Sequence, residues 1–305
     1  MRTTFASELE KIMEDRNTYL LTGDLGFSVF EKIKEIFEEQ YLNMGLSEQN
    51  MLGVAAGMAL TGRQVFVYSI IPFIIYRPFE QLRNDICFQN LRVRLVGVGA
   101  GLSYSDAGFT HHAIEDYGIL CSLPNITVLS PSDPIEVSVQ MKLVHKLDGP
   151  SYMRLGRNGE PVLHDQHKFL IIGKALEIFK GDDILFIATG SILGKAIEIA
   201  KLLEADGKTV EILNYHTIKP FDENAIYKHS SGKKLIVTFE EHLSRTGLYS
   251  LVVQCLMDND LNIKTISVGI KEPLIHSSGS REYLLSQHSI NVKSIYEKIK
   301  ETLKS

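Results

Sequence analysis

Three short segments of the sequence contain side chains that could take part in catalysis. The first is residues 45–51 (GLSEQNM), in which Glu48 comes shortly before a stretch of small apolar residues at 53–60. A carboxylate at the start of a helix can exchange protons with a bound molecule, and it can equally be a favourable partner of the helix dipole. Taken alone, this segment favours the dipole role, so a catalytic glutamate needs further support.

The other two segments follow predicted strands. Residues 23–28 (GDLGFS) come after an apolar run at 19–22, and Thr110-His111-His112 lies in a loop rich in glycine and serine. Loops at the carboxyl ends of parallel strands are where α/β proteins bind ligands, although Gly and Asp are also common turn residues. Adjacent histidines seldom point at one ion and no third ligand is evident, so we predict no metal site in this chain.

The elements that must position these residues follow from the apolar pattern. Short buried runs alternate with helical stripes, which predicts parallel sheets covered by helices on both faces. Strands are predicted at 19–22, 65–68, 92–98, 126–129, 151–155, 184–187, 209–213, 234–239 and 265–268. For 305 residues, this pattern predicts two α/β domains, each with a doubly wound and mostly parallel sheet, at 1–160 and 181–305, joined by a linker at 161–180.

The composition excludes several classes of protein. Lys and Arg number 32 against 37 Asp and Glu, so a net charge of −5 offers no basic excess for nucleic acid. Hydrophobic residues make up 44% of the chain, which argues against disorder. The cysteines Cys87, Cys121 and Cys255 are far apart, which favours buried thiols in a reducing compartment. The longest apolar run is too short to span a membrane and the first residues lack a signal-peptide pattern, so we expect a cytoplasmic protein.

Together and in order, these segments resemble the C-terminal half of a transketolase, as found in families whose enzyme is split into two subunits. The resemblance covers nearly all of the chain and extends to 1-deoxyxylulose-5-phosphate synthase. It is carried by residues 23–25 (GDL), 45–51 (GLSEQNM), 79–83 (FEQLR), 110–111 (TH), 114–116 (IED), 123–125 (LPN), 131–133 (PSD), 154–157 (RLGR), 189–191 (TGS), 216–222 (HTIKPFD) and 240–242 (EEH).

The resemblance implies a transferase that holds thiamine diphosphate between domains of different chains. This chain would supply the pyrimidine-binding domain and the transketolase C-terminal domain. The family's Gly-Asp-Gly segment, which binds the diphosphate and Mg²⁺, has no counterpart here, because residues 181–183 (GDD) lack the second glycine. We therefore expect activity only with a partner subunit that carries the diphosphate-binding domain and the Mg²⁺ ligands, in a heterotetramer that acts on sugars.

The same resemblance implies roles for individual residues. Glu48 corresponds to the family glutamate that hydrogen-bonds the aminopyrimidine ring and, by sharing a proton with a ring nitrogen, promotes loss of the thiazolium proton. Asp24 and Leu25 correspond to positions in the cofactor pocket. His111 corresponds to a histidine that contacts the substrate near the reacting carbonyl and can donate to a developing alkoxide.

Other residues are expected at the far end of the substrate. Arg157 lies in the region that corresponds to a phosphate-binding arginine, and Arg154 is a competing assignment. Arg2 and Ser28 correspond to further positions that contact the substrate.

The sequence departs from the family pattern in ways that bear on specificity. The family has a Ser-Thr-Phe run whose Phe stacks on the pyrimidine. Here the run is residues 69–73 (SIIPF), so Phe73 or a branched aliphatic side chain would cover the ring. Ala107 replaces an acidic residue near the substrate, and Gly99 stands where a phosphate-contacting His is found. These changes predict a substrate other than a simple pentose phosphate, such as a branched or nucleotide-linked ketose.

Other functions stay open at this stage. The beta subunit of a 2-oxo acid dehydrogenase decarboxylase component shares the two-domain plan and the glutamate, but residues 110–111, 123–125 and 131–133 favour a transketolase. A non-catalytic structural subunit of the same fold is disfavoured by the intact Glu48 and His111. A dinucleotide-binding protein would need a Gly-x-Gly-x-x-Gly turn that opens a helix, and residues 96–101 (VGVGAG) are not followed by a helical pattern.

Overall fold

The structure, a computed structural model, describes residues 1–157, 159–163, 169–272 and 278–304. The chain divides into two compact units: unit 1 contains residues 1–100 and 119–169, and unit 2 contains residues 101–118 and 170–305. Both units are built mostly from parallel strands with interleaved helices, so the predicted α/β fold class is confirmed. In the described ranges, no helix has the length and apolar character needed to cross a membrane.

Unit 1 is built around a parallel β-sheet. Its strands are β1 (Thr18–Thr22), β2 (Tyr41–Asn43), β3 (Gln64–Ile70), β4 (Val93–Val98), β5 (Thr127–Leu129) and β6 (Ser151–Leu155). They lie in the order β5-β6-β4-β3-β1-β2, and all neighbours in this order run parallel. Because the strands run in one direction, they all end at one edge of the sheet, which we call the carboxyl edge of unit 1.

Helices connect these strands and pack on the sheet. They are α1 (Arg2–Ile12), α2 (Glu31–Ile36), α3 (Glu48–Leu60), α4 (Ile71–Ile75), α5 (Phe79–Gln81), α6 (Asp116–Cys121), which is divided between the two units, and α7 (Pro134–Val144). A π-helical segment follows α5 at Leu82–Cys87. β3 and β4 are buried along their whole length, as expected for central strands covered on both faces. α7 begins where Asp133 accepts a hydrogen bond from the Glu136 N–H and Pro134 takes the first helical position.

A buried cation joins the centre of this sheet to a turn. Arg94 in β4 is 1% exposed, and its guanidinium donates to the carbonyl oxygens of Leu147 and Gly149. Burial lowers the pKa of Arg94 to about 9. The side chain thereby satisfies carbonyl groups between α7 and β6 and holds that turn against the sheet.

Unit 2 contains a second sheet. The strands of this unit are β7 (Leu176–Phe179), β8 (Ile184–Ala188), β9 (Val210–Asn214), β10 (Thr217–Lys219), β11 (Leu235–Leu243) and β12 (Thr265–Ile270), and all of them except β10 belong to the second sheet. The sheet has the order β12-β11-β8-β9-β7, in which β7 is an antiparallel edge strand. The helices of this unit are α8 (Leu193–Ala205), α9 (Glu223–Ser230), α10 (Leu248–Asp258), α11 (Arg281–Gln287) and α12 (Val292–Lys304).

The structure differs in detail from the expected domain organisation, whose boundaries remain a prediction. Residues 176–179 fall in the expected linker at 161–180 but form β7. Residues 164–168 of that linker lie outside the described residues. Residues 101–118 belong to unit 2, although the sequence pattern groups them with residues 1–160. The helix expected at 53–60 begins earlier, at Glu48.

Candidate active site

The carboxylate of Glu48 lies at the carboxyl edge of unit 1. Glu48 is the first residue of α3, and its side chain is 2% exposed. β1 and β3 are parallel neighbours, so Gly23 after β1 and Ser69 near the end of β3 reach the same edge. A Cβ atom added to Gly23 would lie 3.6 Å from Glu48 Oε1 and 3.6 Å from Ser69 Oγ. The carboxylate and the hydroxyl therefore both lie close to Gly23 at this edge.

The hydroxyl of Ser69 indicates a place for a polar ligand. Its Oγ is buried and has no hydrogen-bond partner in the part of the chain that the structure describes. Buried hydroxyls are nearly always paired, so an unpaired one beside a carboxylate is a site where a bound group can complete the bonding. A carboxylate and a hydroxyl suit a heterocycle with ring nitrogens and an amino group. These residues fit the aminopyrimidine of thiamine diphosphate.

Arg77 is the hydrogen-bond partner of Glu48. Its Nη1 lies 3.1 Å from Oε1 and 3.0 Å from Oε2, and the described residues provide no other partner for this carboxylate. The guanidinium carbon also lies 3.8 Å from the centroid of the Phe73 ring. Arg77 is 48% exposed while Glu48 is 2% exposed, so the cation covers the buried carboxylate on its outer side. A single half-exposed cation thus compensates a buried negative charge.

Asp24 is held in place by Asn43 at the end of β2. The Asp24 N–H donates to Asn43 Oδ1 at 2.9 Å, and Asn43 Nδ2 donates to Asp24 Oδ1 at 3.0 Å. Asn43 Oδ1 also accepts from the Gly45 N–H at 3.0 Å. Asp24 has a φ of +56°, which aspartate tolerates better than most residues. Asn43 therefore links the loop after β1 to the segment that leads into Glu48.

Leu25 lines a cleft beside this loop. The cleft has a volume of about 130 Å³, and Asp24, Phe30, Tyr41 and Asn43 are among its other lining residues. Phe30 packs edge-on against Tyr68 of β3, with ring centroids 4.8 Å apart, which fixes the far end of the loop on the core. Ser28 lies on the same loop, is exposed, and has a φ of +61°.

The two predicted substrate arginines of unit 1 also lie at the carboxyl edge. Arg157 is exposed and follows the end of β6. Arg2 begins α1, and the backbone nitrogen of the preceding Met1 lies 3.1 Å from Oε2 of Glu160, which also follows β6. The competing residue Arg154 lies within β6 and is 4% exposed, so its side chain is part of the interior. The exposed Arg157 is the better placed of the two to meet an anion.

His111 lies in unit 2, on the segment of residues 101–118. The segment is closed by paired backbone hydrogen bonds between Gly101 and Ala113, at 3.0 and 2.9 Å. The His111 N–H donates to the Gly108 carbonyl at 2.9 Å, and its Nδ1 lies 2.9 Å from Thr110 Oγ1. The imidazole packs edge-on against Tyr104, with ring centroids 6.0 Å apart. These contacts fix the ring within its own segment.

The neighbouring His112 has a different environment. It is 2% exposed, and its ring interacts with the Ser105 backbone. Burial lowers the pKa of His112, which favours the neutral ring. The two adjacent histidines therefore differ in burial: His111 is half-buried, and His112 is interior.

Comparison with known proteins decides the family. Residues 1–160 match the family model for the transketolase pyrimidine binding domain. The chain belongs to the transketolase family. Residues 173–295 match the model for the transketolase C-terminal domain. The predicted family is thereby confirmed over both halves of the chain.

Similar proteins are named as sections or subunits of transketolases. The chain is 32% identical to a putative transketolase C-terminal section of Methanocaldococcus jannaschii, covering 94% of this chain and 91% of that protein. It is 31% identical to one subunit of an apulose-4-phosphate transketolase of Actinobacillus succinogenes, covering 87% and 85%. A solved structure of a split gene transketolase, an inactive beta4 tetramer, superposes with a TM-score of 0.88 at 29% identity, covering 99% of this chain and 97% of that one. These relatives agree with the prediction that the chain is the C-terminal part of a split transketolase.

Sequence reasoning about this transketolase-family chain misses several residues of the site. Arg77 lies outside the recognised segments, and its pairing with Glu48 depends on the short helix α4 turning the chain back. Ser69 enters only as part of an altered run, and Asn43 lies in a strand too short to show a pattern. For Asn43 and Ser69, the available signal is their order along the chain: Asn43 comes shortly before Glu48, and Ser69 lies near the end of the next strand.

A candidate cation site in this transketolase-family chain lies in unit 2, among residues that are not predicted site residues. Within the described ranges, one group of side chains, Glu177, Glu211 and His229, has ligand atoms within 4.8 Å of one another. Lys233 Nζ lies 2.7 Å from Glu211 Oε2, so an ammonium group already neutralises the buried member of this group. The arrangement is that of an ion-pair cluster in unit 2, and it is separate from Glu48 in the sequence.

Proposed function

We propose that the chain is the pyrimidine-binding subunit of a two-subunit transketolase that uses thiamine diphosphate. The enzyme would transfer a two-carbon ketol unit from a ketose to an aldehyde. The observation that carries the proposal is the buried Glu48 carboxylate at the carboxyl edge, beside the unpaired Ser69 hydroxyl and next to Gly23. The related split-transketolase subunits support it, and their naming favours this function over a 2-oxo acid dehydrogenase subunit.

The cofactor would supply a nucleophilic thiazolium carbon that accepts the ketol unit and passes it on. In this chain, Glu48 would share a proton with a nitrogen of the pyrimidine ring, because a buried carboxyl can act as donor or acceptor. Ser69 would bond a polar edge of the ring, and the Asp24–Asn43 pair would hold the loop beside it. Phe73 would contribute an aromatic face, which now carries the Arg77 guanidinium.

A partner subunit would complete the site. This chain has no segment that matches the family's diphosphate-binding pattern, so the diphosphate and its Mg²⁺ ligands would come from the partner. We expect two copies of each subunit in the assembly, in the cytoplasm.

Isothermal titration tests the cofactor assignment. We expect little binding of thiamine diphosphate with Mg²⁺ to the purified chain, because the charged half of the cofactor has no anchor here. Addition of the partner subunit should restore binding. The partner alone is the control that separates a completed site from binding by the partner by itself. Tight Mg²⁺-dependent binding of thiamine diphosphate by this chain alone would contradict the proposal that the partner supplies the diphosphate site.

The substrate should differ from that of a pentose-phosphate enzyme. His111 would donate to the developing alkoxide, and Arg157, with Arg2, would meet an anionic group. Gly99, where the family has a phosphate-contacting His, adopts a φ of +95°, which strongly disfavours a histidine. The exposed Ala107 supplies no charge either. We therefore expect a branched or nucleotide-linked ketose to be preferred.

Steady-state kinetics of the reconstituted pair tests this preference. Loss of one charged contact costs about 1.5–3 kcal/mol, which corresponds to a preference shift of tenfold or more. We expect kcat/KM for xylulose 5-phosphate to fall below that of a nucleotide-linked or non-phosphorylated ketose by at least about this factor. A clear preference for xylulose 5-phosphate would mean that the missing contacts come from the partner.

A further inference from the structure

The segment of residues 101–118, which carries His111, is held at both ends by one short stretch of unit 2. That stretch is residues 240–246, at the end of β11 and just beyond it. We call residues 240–246 the clasp. Its members Glu240, Glu241 and His242 are buried.

Glu241 holds the beginning of the segment. The Leu102 N–H donates to Glu241 Oε1 at 2.7 Å, and both groups are buried. Gly101 has a φ of +61°, and any Cβ atom added there would overlap the Glu241 side chain. The glutamate thus lies directly across the backbone of residues 101–102, at a distance that only glycine permits.

Arg281 fixes the Glu241 carboxylate. Its Nε donates to Oε1 at 3.0 Å, and its Nη2 contacts Oε2. The same Nη2 donates to Ser191 Oγ at 3.2 Å. A two-point contact from a guanidinium sets both the charge and the direction of a carboxylate. Glu241 is therefore a fixed acceptor for the Leu102 N–H.

His242 holds the end of the segment. The Tyr117 N–H donates to His242 Nε2 at 3.0 Å, and the Tyr117 ring stacks on the imidazole, with centroids 4.6 Å apart and planes at 21°. Because a backbone N–H can only donate, Nε2 is the acceptor. Nδ1 therefore carries the proton and donates to the Leu243 carbonyl at 3.0 Å.

Two further contacts complete this end. The Leu243 N–H donates to the Ile114 carbonyl at 2.9 Å. A Cβ atom added to Gly118 would overlap the Thr246 side chain. Both ends of the segment are thus glycines packed against the clasp, with backbone hydrogen bonds beside each of them.

We propose that the clasp sets the position of His111, with Glu241 and His242 as positioning residues for the ketol transfer. The proposal rests on the proposed function in one respect, the assignment of His111 to the substrate. A loop whose two ends are fixed by buried hydrogen bonds, one of them to a carboxylate, presents its central side chain in one place, which a substrate-contacting histidine requires. The end of β11 in unit 2 would thereby contribute to catalysis by positioning His111, without contacting the substrate itself.

Hydrogen–deuterium exchange of the full chain, read by mass spectrometry, tests the anchoring directly. Glu241→Ala should raise exchange in residues 101–118 by about tenfold or more, because a charge-assisted hydrogen bond is lost. Glu241→Gln should give a smaller rise, since its side-chain oxygen can still accept from the Leu102 N–H. This milder variant keeps the test valid if the alanine variant does not fold.

Glu211→Gln is the matched control. Glu211 is also a buried glutamate of unit 2, and its side-chain partners are Lys233 and His229. It should leave exchange in residues 101–118 at the wild-type level. Equal exchange in this segment for the Glu241 variants and the control would overturn the proposal.

Kinetics of the complex with the partner subunit separates this proposal from the proposed function. In Glu241→Gln, turnover of a ketose donor should fall while exchange of the cofactor's thiazolium proton stays at the wild-type rate, because Glu48 is unaltered. Loss of both would mean a general structural effect and would overturn the positioning role. A wild-type complex that binds no cofactor would refute the proposed function, while the exchange measurement would still decide whether the clasp anchors the segment.

Discussion

Two buried glutamates, one in each unit, pair with a partly exposed arginine, yet their surroundings differ. Glu48 is 2% exposed and Arg77 is 48% exposed, whereas Glu241 is 4% exposed and Arg281 is 32% exposed. Glu48 receives hydrogen bonds from one nitrogen of Arg77. Glu241 receives them from two nitrogens of Arg281 and from the buried Leu102 N–H.

The difference shows which of the two carboxylates is available to a ligand. A carboxylate oxygen can accept more than one hydrogen bond, so Glu48 has unused capacity, and the unpaired Ser69 hydroxyl lies close by. Glu241 uses its oxygens to join an arginine to the backbone of another segment. Burial and an arginine partner therefore do not distinguish a reactive carboxylate from a structural one, whereas the number and kind of donors does.

The largest effect that distinguishes the two glutamates is expected from Glu48→Gln. We expect turnover of the complex with its partner to fall by about 10²–10⁴, because glutamine keeps the size of the side chain but cannot relay a proton. Exchange of the cofactor's thiazolium proton for deuterium should slow by a similar factor. Thermal unfolding of the variant should stay close to that of the wild type.

Glu136→Gln is the control for this prediction. Glu136 is also a buried glutamate in the first turn of a helix of unit 1. If Glu48 acted only on the helix dipole, both variants would lose a little stability and neither would lose proton exchange. Wild-type exchange in Glu48→Gln would therefore refute the catalytic assignment.

A smaller effect is expected from Arg77→Gln. Arg77 occupies the one cationic contact of Glu48 among the described residues, so a ring nitrogen that approaches the carboxylate must compete with a guanidinium. Removal of the arginine should strengthen binding of thiamine diphosphate to the assembled complex by about tenfold, the equivalent of one charge-assisted hydrogen bond. Isothermal titration measures the change in Kd.

Arg83→Gln provides the comparison for this variant. Arg83 is an arginine of the same unit whose Nη1 donates to the neighbouring Asn84 side chain at 2.8 Å on the surface. Its removal should leave the Kd unchanged. Weaker binding in Arg77→Gln would show that Arg77 contacts the bound cofactor and does not compete with it.

The smallest effect concerns Asp183, a partly exposed carboxylate of unit 2. Asp183 bonds Lys234 Nζ at 2.5 Å, the Thr209 N–H and the Thr209 hydroxyl. The Lys234 contact, followed by the Thr209 bonds, holds the pKa of Asp183 well below its ordinary value. Asp183→Asn should lower the free energy of unfolding by about 1 kcal/mol at pH 7, a small cost because the pair is screened by solvent.

The pH dependence of this loss has a definite sign. A carboxylate with a depressed pKa stabilises the folded state above its unfolded pKa of about 4, and that contribution is lost as the pH falls below this value. The difference between wild type and Asp183→Asn should therefore be constant near neutrality and shrink in acid. Asp182→Asn, in the same turn, is the control in urea unfolding at each pH. A difference that persists unchanged at a pH of about 2 would contradict the assignment.

Much of this architecture could be predicted from the sequence because its signals are local. Strand positions in both halves follow from short apolar runs, and Glu48 follows from the segment at 45–51. The short edge strands β2 and β7 escaped prediction, since neither is the buried apolar run by which the other strands are recognised. Arg77 escaped because its partner is set by the turn after β3 rather than by spacing along one element.

The placement of the His111 segment could not be predicted for a different reason. The sequence groups residues 101–118 with the first domain, because they follow β4 directly. The contacts that draw them into unit 2 come from Glu241 and His242, which lie far along the chain. The motif at 240–242 is visible in the sequence, but nothing local shows what those buried side chains hold.

The bond between Tyr117 and His242 also has a consequence for the order of folding. It joins residues 125 positions apart, so it cannot form until the chain beyond residue 242 has been synthesised. Closing so long a loop is entropically costly, and such contacts tend to form late. During synthesis, the first sheet and Glu48 can assemble while the His111 segment still lacks its support. A nascent chain released before β11 would therefore contain a folded environment for Glu48, while the His111 segment would lack the residues that hold it in place.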